Sequence, residues 1–331
     1  MVRLVLKIGS AHAEPRSKAY GYVKVAEYVG GQAVQVPVIV IHGREKRPTL
    51  WIEACVHGDE YHNVPVILEL ARSLEPEKLR GSVVLIPTVN VSAVQVRQRE
   101  SFVDHSDLNR SFPGSQGFFS EQYASAWFDV VTSNANFLID LHTSGVDSEI
   151  ADFMVYPQIG KAKADNDSRR LAMCFGFPYV VTYRYDRKTP GWFDRSLVTQ
   201  SAIRGIPSLL VEFPGLGGAP LNKGRMEYVS TGLRNVMKEL KIIDGVPKTD
   251  KKRVFLDDLV ILATTRGGIF KPRVKVGQRV RKDQVLATVN DLFGDEVEQV
   301  RCPKPGIVLD RMVYPMVGTG SWVFEIGLMS K

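Results

Sequence analysis

Residues 51–70 read WIEACVHGDEYHNVPVILEL, a run of strand-forming residues that turns into a helical pattern. At the junction stand His57, Gly58, Asp59 and Glu60. A neutral imidazole and a carboxylate are good zinc ligands. Spaced three apart on a first helical turn, they would share one face. Alone, an HxxE at a turn is more often an ordinary hydrogen-bonded histidine. A catalytic centre needs three protein ligands and an open position, so a distant third is required. Of the six histidines, His142 fits best, because it ends the apolar run NFLIDLH (136–142) and so projects from a strand end. Ligands of α/β sheets gather at such ends.

Glu212 lies in SLLVEFP (208–214). An unpaired carboxylate in an apolar strand is costly. It is either an anion paired with an arginine or a general base at the mouth of a metal site, its pKa raised by burial. The polar segment 90–118, NVSAVQVRQRESFVDHSDLNRSFPGSQGF, follows a strand and is long for a loop in a compact domain. It carries Arg97, Arg99 and Arg110, with Asp107 and Asn109 beside the last. Arginine grips carboxylates in a two-pronged fork, and near a metal it can stabilise charge growing on a carbonyl oxygen. Any single one is also compatible with a solvated surface.

These residues need a scaffold. Apolar runs around 37–44 and at 50–56, 82–90, 136–142, 152–157, 179–183 and 208–214 read as buried strands. Helical spacing appears at 63–74, at 121–134 with Ser120 placed to cap it, and at 194–205 and 225–241. Strands interleaved with helices predict an α/β fold with a mixed, largely parallel sheet covered on both faces. After a polar stretch at 247–253, short β-like runs replace helices. The expected division is 1–249 for the site-bearing part and 250–331 for a small all-β domain.

The bulk numbers agree. The length, 331 residues with 44% hydrophobic and 24% charged, suits one large domain plus a small one without stapling metals. Three separated cysteines, odd in number and without a CxxC, fit a reducing compartment. Lys7 breaks the N-terminal apolar run, and no stretch is long enough to span a bilayer. A cytoplasmic protein without membrane partners is expected. The net charge of +7 is dispersed, which fits a solvated surface or steering of a small anion. No nucleic-acid motif is present.

Five pieces carry a resemblance: HGDE (57–60), NVSAVQVRQR (90–99), DLNRSFPG (107–114), DLH (140–142) and VEFPG (211–215). In this order they resemble the succinylglutamate desuccinylase/aspartoacylase family, relatives of the zinc carboxypeptidases. The likeness covers residues 35–240 or thereabouts. It implies a sheet of about eight strands between helices, and one zinc ion per chain held by His57, Glu60 and His142. It further implies that Arg99 polarises the scissile carbonyl, that Asn109 and Arg110 hold a substrate carboxylate, that Asp107 bonds the free nitrogen of His57, and that Glu212 is the general base. The Arg99–Arg110 spacing is longer than in the aspartoacylases proper, and no C-terminal tyrosine matches theirs. The acyl group and the amine therefore stay open.

The run GGIFKPRVKVGQRVRKDQVLATV resembles half of a biotinyl/lipoyl-type barrel. The turn region NDLFGDEVEQV (290–300) has no carrier lysine, so the C-terminal part is expected to act as a lid or wall. The expected activity is hydrolysis of a small N-acyl amino acid or related carboxylate-bearing amide. The rivals are a carboxypeptidase, and a binding protein on the same scaffold. Homo-oligomerisation is left open.

Overall fold

The computed structural model describes residues 5–215, 222–249 and 252–329. After a small hairpin of β1 (Leu6–Ile8) and β2 (Ala11–Ala13), the chain lays down β3 (Ser17–Glu27), β4 (Ala33–His42), β5 (Thr49–Ala54), β6 (Ser82–Ile86), β7 (Phe137–Thr143), β8 (Ser148–Ile150), β9 (Phe153–Gln158), β10 (Tyr179–Arg184), β11 (Ser208–Phe213) and β12 (Val254–Leu256). Nine of these form one sheet in the order β12-β10-β9-β11-β7-β5-β6-β4-β3. The central run β11-β7-β5-β6 is parallel, as is β12-β10-β9. The β9–β11, β4–β6 and β3–β4 pairs are antiparallel. The expected mixed, largely parallel α/β sheet is therefore present, extended by an edge strand at each side. β3 escapes a search for apolar runs because its sequence, SKAYGYVKVAE, alternates and is half solvated.

The helices are α1 (Val64–Ser73), α2 (Val91–Val96), α3 (Phe119–Asn134), α4 (Ala162–Phe175), α5 (Leu197–Ile203) and α6 (Lys223–Glu239). One apolar cluster joins α3 and α5 to one face of the sheet through Trp51, Trp127 and Leu197. A second joins α1, α4 and α6 to the other through Ile67, Leu171 and Leu233. Both faces are thus covered, as the continuous apolar strands require. Two local expectations change. Ser120 lies inside α3, with its N–H and hydroxyl both donating to Asp104. The helix expected over 194–205 is the shorter α5, capped by Ser196, whose Oγ accepts from the Thr199 N–H.

The remaining elements are strands: β13 (Asp258–Ala263), β14 (Gly268–Pro272), β15 (Arg279–Val280), β16 (Val285–Asn290), β17 (Glu296–Arg301), β18 (Gly306–Met312), β19 (Met316–Val317) and β20 (Trp322–Leu328). One sheet has the order β13-β20-β18-β15 with β8 added beside β18; the other is β17-β16-β14-β19. They enclose a small core that includes Phe270, Leu286, Val308 and Phe324. Two pairings cross between the halves: β12 runs beside β10 in the large sheet, and β8 joins β18. No helix among the described residues is long and apolar enough to cross a membrane.

Candidate active site

A period of two along a strand places alternate residues on one face. On the α3/α5 face, β7 presents Leu138, Asp140 and His142. Its neighbours align with it: Glu53 of β5 pairs with Asp140, and Glu212 of β11 pairs with His142. Strand alternation therefore brings His142 and Glu212 side by side at the carboxyl ends of adjacent parallel strands.

His57 and Glu60 arrive from the turn that follows β5. Cys55 takes a left-handed backbone, φ 57°, which swings the chain out of the sheet. The 57–60 segment is a loop turn followed by a short 3-10 turn over Tyr61–Asn63, not the first turn of α1. Glycine is needed at position 58, since a Cβ there would lie 2.1 Å from the Ala93 carbonyl carbon of α2. Asn63 fastens the loop to β7 by donating from Nδ2 to the Leu141 carbonyl at 2.7 Å.

The outcome is a tight cluster. His57 Nδ1 lies 2.6 Å from Glu60 Oε1, and His142 Nδ1 lies 2.9 Å from Glu60 Oε2. The far ring edges meet other carboxylates: His57 Nε2 is 3.2 Å from Asp107 Oδ1, and His142 Nε2 is 3.1 Å from Asp140 Oδ2. An imidazole that donates from Nε2 keeps a lone pair on Nδ1. Both lone pairs then converge on the Glu60 carboxylate. These three buried side chains form the one group among the described residues whose ligand atoms could hold a metal ion, all within 4.8 Å of one another. Burial opposes ionisation of Glu60, but His57 and His142 outweigh it and hold the carboxyl far below its usual range. Burial would likewise lower the His142 pKa, and Asp140 and Glu60 raise it instead.

The long polar segment supplies the rim. Asn90 caps α2 by accepting from the Ala93 N–H, and the helix ends where Arg97 turns left-handed, φ 55°. Arg99 follows and grips Asp107 through Nε and Nη2 at 3.1 and 2.9 Å. Its Nη1 lies 3.3 Å from His57 Nδ1 and 3.7 Å from Glu60 Oε1. Asp107 thus bridges a guanidinium and an imidazole. Burial would raise its pKa, and His57 with Arg99 holds it well below the usual value. Asp107 also caps the 3-10 turn Leu108–Arg110 through the Asn109 N–H. Asn109 is buried; its Oδ1 accepts from the Leu197 N–H, which leaves Nδ2, 3.5 Å from His142 Nε2. Arg110 stacks over Trp192 at 5.3 Å and donates to the Asn109 carbonyl.

All eight residues expected from the sequence therefore stand in one neighbourhood, and seven of them line a cavity of about 200 Å³. Asp107 stands behind His57 and Arg99. Burial, reinforced by Glu60 and Glu325, raises the Glu212 pKa well above that of an ordinary carboxyl, against the pull of His142.

Four residues went unread. Asp140, inside the DLH motif, is a carboxylate within an apolar strand run, as Glu212 is. Glu53 is fully buried and accepts from the indole N–H groups of Trp51 and Trp127. Its Oε1 and Asp140 Oδ1 are both buried without a partner, and burial together with Asp140 raises the Glu53 pKa well above usual. Asp310 and Glu325, from β18 and β20, line the cavity from the C-terminal sheets. Their signal resembled that of Glu212, a carboxylate within an apolar strand run, VLDRM and VFEIG.

Known proteins resemble the chain over most of its length. The family model for the succinylglutamate desuccinylase/aspartoacylase catalytic domain matches residues 46–240. The N-alpha-acetyl-L-2,4-diaminobutyric acid deacetylase of Halomonas elongata is 26% identical over 301 residues, covering 89% of this chain and 86% of that one. A succinylglutamate desuccinylase/aspartoacylase structure from Rhodobacter sphaeroides superposes with a TM-score of 0.82 at 25% identity, over 95% of this chain and 96% of that one. The product-bound ectoine utilization protein EutE (DoeB) of Ruegeria pomeroyi gives 0.81 at 22%, over 95% of each chain.

Proposed function

The chain belongs to the succinylglutamate desuccinylase/aspartoacylase family, and from that premise we propose that it is a zinc-dependent deacylase of small N-acyl amino acids or related carboxylate-bearing amides. One observation carries the reading. Two imidazoles present Nδ1 to a shared carboxylate while carboxylates hold both of their Nε2 atoms. That arrangement fits the donor set and the outer support of a catalytic zinc centre, and His57, Glu60 and His142 would hold the ion. Bound there, a zinc ion supplies a Lewis acid and an acidified water.

The chain's own groups do the rest. Glu212, next to His142 on the adjacent strand, accepts a proton from the attacking water. It returns that proton to the departing amine. Its raised pKa suits a base that must later act as an acid. Arg99, fixed by Asp107 and directed at the His57–Glu60 edge, stabilises negative charge growing on the carbonyl oxygen. Arg110 and the Nδ2 of Asn109 hold a substrate carboxylate. The cavity, about 200 Å³ and walled by β18 and β20, suits a small molecule better than a peptide, since even pockets for drug-sized ligands run to roughly 300–1,000 Å³.

The test is amine release from a panel of N-acetyl, N-formyl and N-succinyl amino acids, with Glu212→Gln in parallel. Turnover of a few members, lost in the variant, supports the deacylase. Silence of zinc-loaded protein across the panel, or full activity in Glu212→Gln, contradicts it.

A further inference from the structure

Carboxylates outnumber arginines in the cavity. Asp59, Glu60, Asp147, Glu212, Asp310 and Glu325 line it, against Arg99 and Arg110, in a chain of net charge +7. Glu60 and Glu212 have places beside the candidate metal. Asp310 and Glu325 do not. They are direct partners across the β18–β20 ladder. Opposed residues share a face with Cβ atoms about 4.5–5.5 Å apart, and like charges so placed are destabilising. The register of β18 steps by one residue between Val308 and Asp310. Without that step Leu309 would oppose Glu325. Bulges of this kind re-aim side chains beside active sites.

Among the described residues no lysine or arginine forms an ion pair with either acid, although Arg99 and Arg110 act on Glu325 from across the cavity. The acids' outer ladder neighbours are Ile150 on β8 and Ile261 on β13. Arg99 is engaged by Asp107, and Arg110 by Trp192 and the Asn109 carbonyl. Among the described residues neither acid forms an ion pair; Ser148 gives Asp310 a hydrogen bond. Burial, with Glu325 adding to it, pushes the Asp310 pKa well up, and burial pushes Glu325 up to about 7 against the pull of Arg99 and Arg110. Two further polar groups in the cavity wall want partners. The Thr143 hydroxyl is buried and unbonded, and so is Asp59 Oδ1.

We infer that Asp310 and Glu325 form a subsite for a cationic amine, so that the molecule deacylated is a short diamino compound whose second nitrogen is a free ammonium. The inference rests on the deacylase reading above. The pair lines the same cavity as Glu60 and Glu212. An ammonium seated there would share one cavity of about 200 Å³ with the scissile amide. It would replace mutual repulsion with two charge-assisted contacts.

The test uses zinc-loaded full-length protein and two acetylated probes of equal length, Nα-acetyl-2,4-diaminobutyrate and Nα-acetylnorvaline. Sites built to pair a polar group can reject the analogue lacking it by up to about 10⁴–10⁵, so a preference of at least about 10² in kcat/KM for the ammonium-bearing probe is expected. In Asp310→Asn/Glu325→Gln that ratio should fall below about 10. Calorimetry with the free amines, 2,4-diaminobutyrate and norvaline, gives a readout independent of turnover; the wild type should prefer the former and the double variant should not. If neither probe is hydrolysed yet this binding preference appears and is lost in the variant, the deacylase reading fails and the subsite stands. Equal handling of both probes by the wild type overturns the inference. So does a preference that survives the double substitution, or a second equivalent of zinc that disappears with it.

Discussion

His142 Nε2 lies 3.1 Å from Asp140 Oδ2, two residues back on the same strand and on the ring edge opposite the nitrogen that meets Glu60. That contact sets which nitrogen keeps its lone pair. Asp140→Ala should weaken metal binding by about 10–100-fold, the usual cost of losing a carboxylate behind a ligating histidine. Titration against a competing chelator measures it. Unchanged affinity would mean that β7 alone orients the ring.

Glu212→Gln should retain the metal and lose on the order of 10²–10⁴ in kcat. The raised pKa fixes a sign as well. A base that holds its proton beyond the ordinary carboxylate range is disabled over that range. The acid limb of the pH–rate profile should therefore lie above the usual carboxylate pKa, and the residual rate of Glu212→Gln should lack it. A wild-type limb in the ordinary range would remove Glu212 from the role.

Glu325 predicts a cost in stability. Burial moves its pKa from 4.5 to about 7, with Arg99 and Arg110 pulling back and Glu60 adding to the rise. Between those values the folded chain keeps a proton that the unfolded chain has released. Stability from this group accordingly falls as pH rises through that window. In metal-free protein, Glu325→Gln should melt higher than the wild type at about pH 8, with the difference shrinking toward about pH 5. Melting curves at the two pH values decide it, and a difference that grows on acidification would contradict it.

Gly58→Ala tests the turn. The added Cβ would meet backbone atoms of Ala93 at 2.1 and 2.3 Å, and backbone cannot swing aside as a flexible side chain can. Overpacking of this kind costs about 1–3 kcal/mol, and here it should also displace His57 and Glu60. Loss of metal together with a lower melting temperature is expected. An unaffected metal content would show that the turn can shift without its ligands.

How much of this could be read from the chain alone depends on where each residue's partners lie. His57, Glu60, His142 and Glu212 were legible because each interrupts or ends an apolar run, where an ionisable group is expensive. The rim residues 99–110 were legible as a group, since a long polar loop at a strand end needs a reason. Asp140 and Glu53 also interrupt apolar runs, but that they face each other depends on the register of β7 against β5, a relation between strands 87 residues apart. Asp310 and Glu325 carry the same local signal as Glu212. They lie in a part of the chain that gives no hint of facing the site, and only the β8–β18 pairing shows it. The helical turn expected at His57–Glu60 failed for a local reason, the left-handed Cys55 that precedes it.

The central claim is a metal centre at His57, Glu60 and His142, and elemental analysis of purified protein tests it most directly. One equivalent of zinc per chain is expected in the wild type, and close to none in His57→Ala/His142→Ala that still melts cooperatively. A full equivalent retained by the folded double variant would place the metal elsewhere and contradict the site.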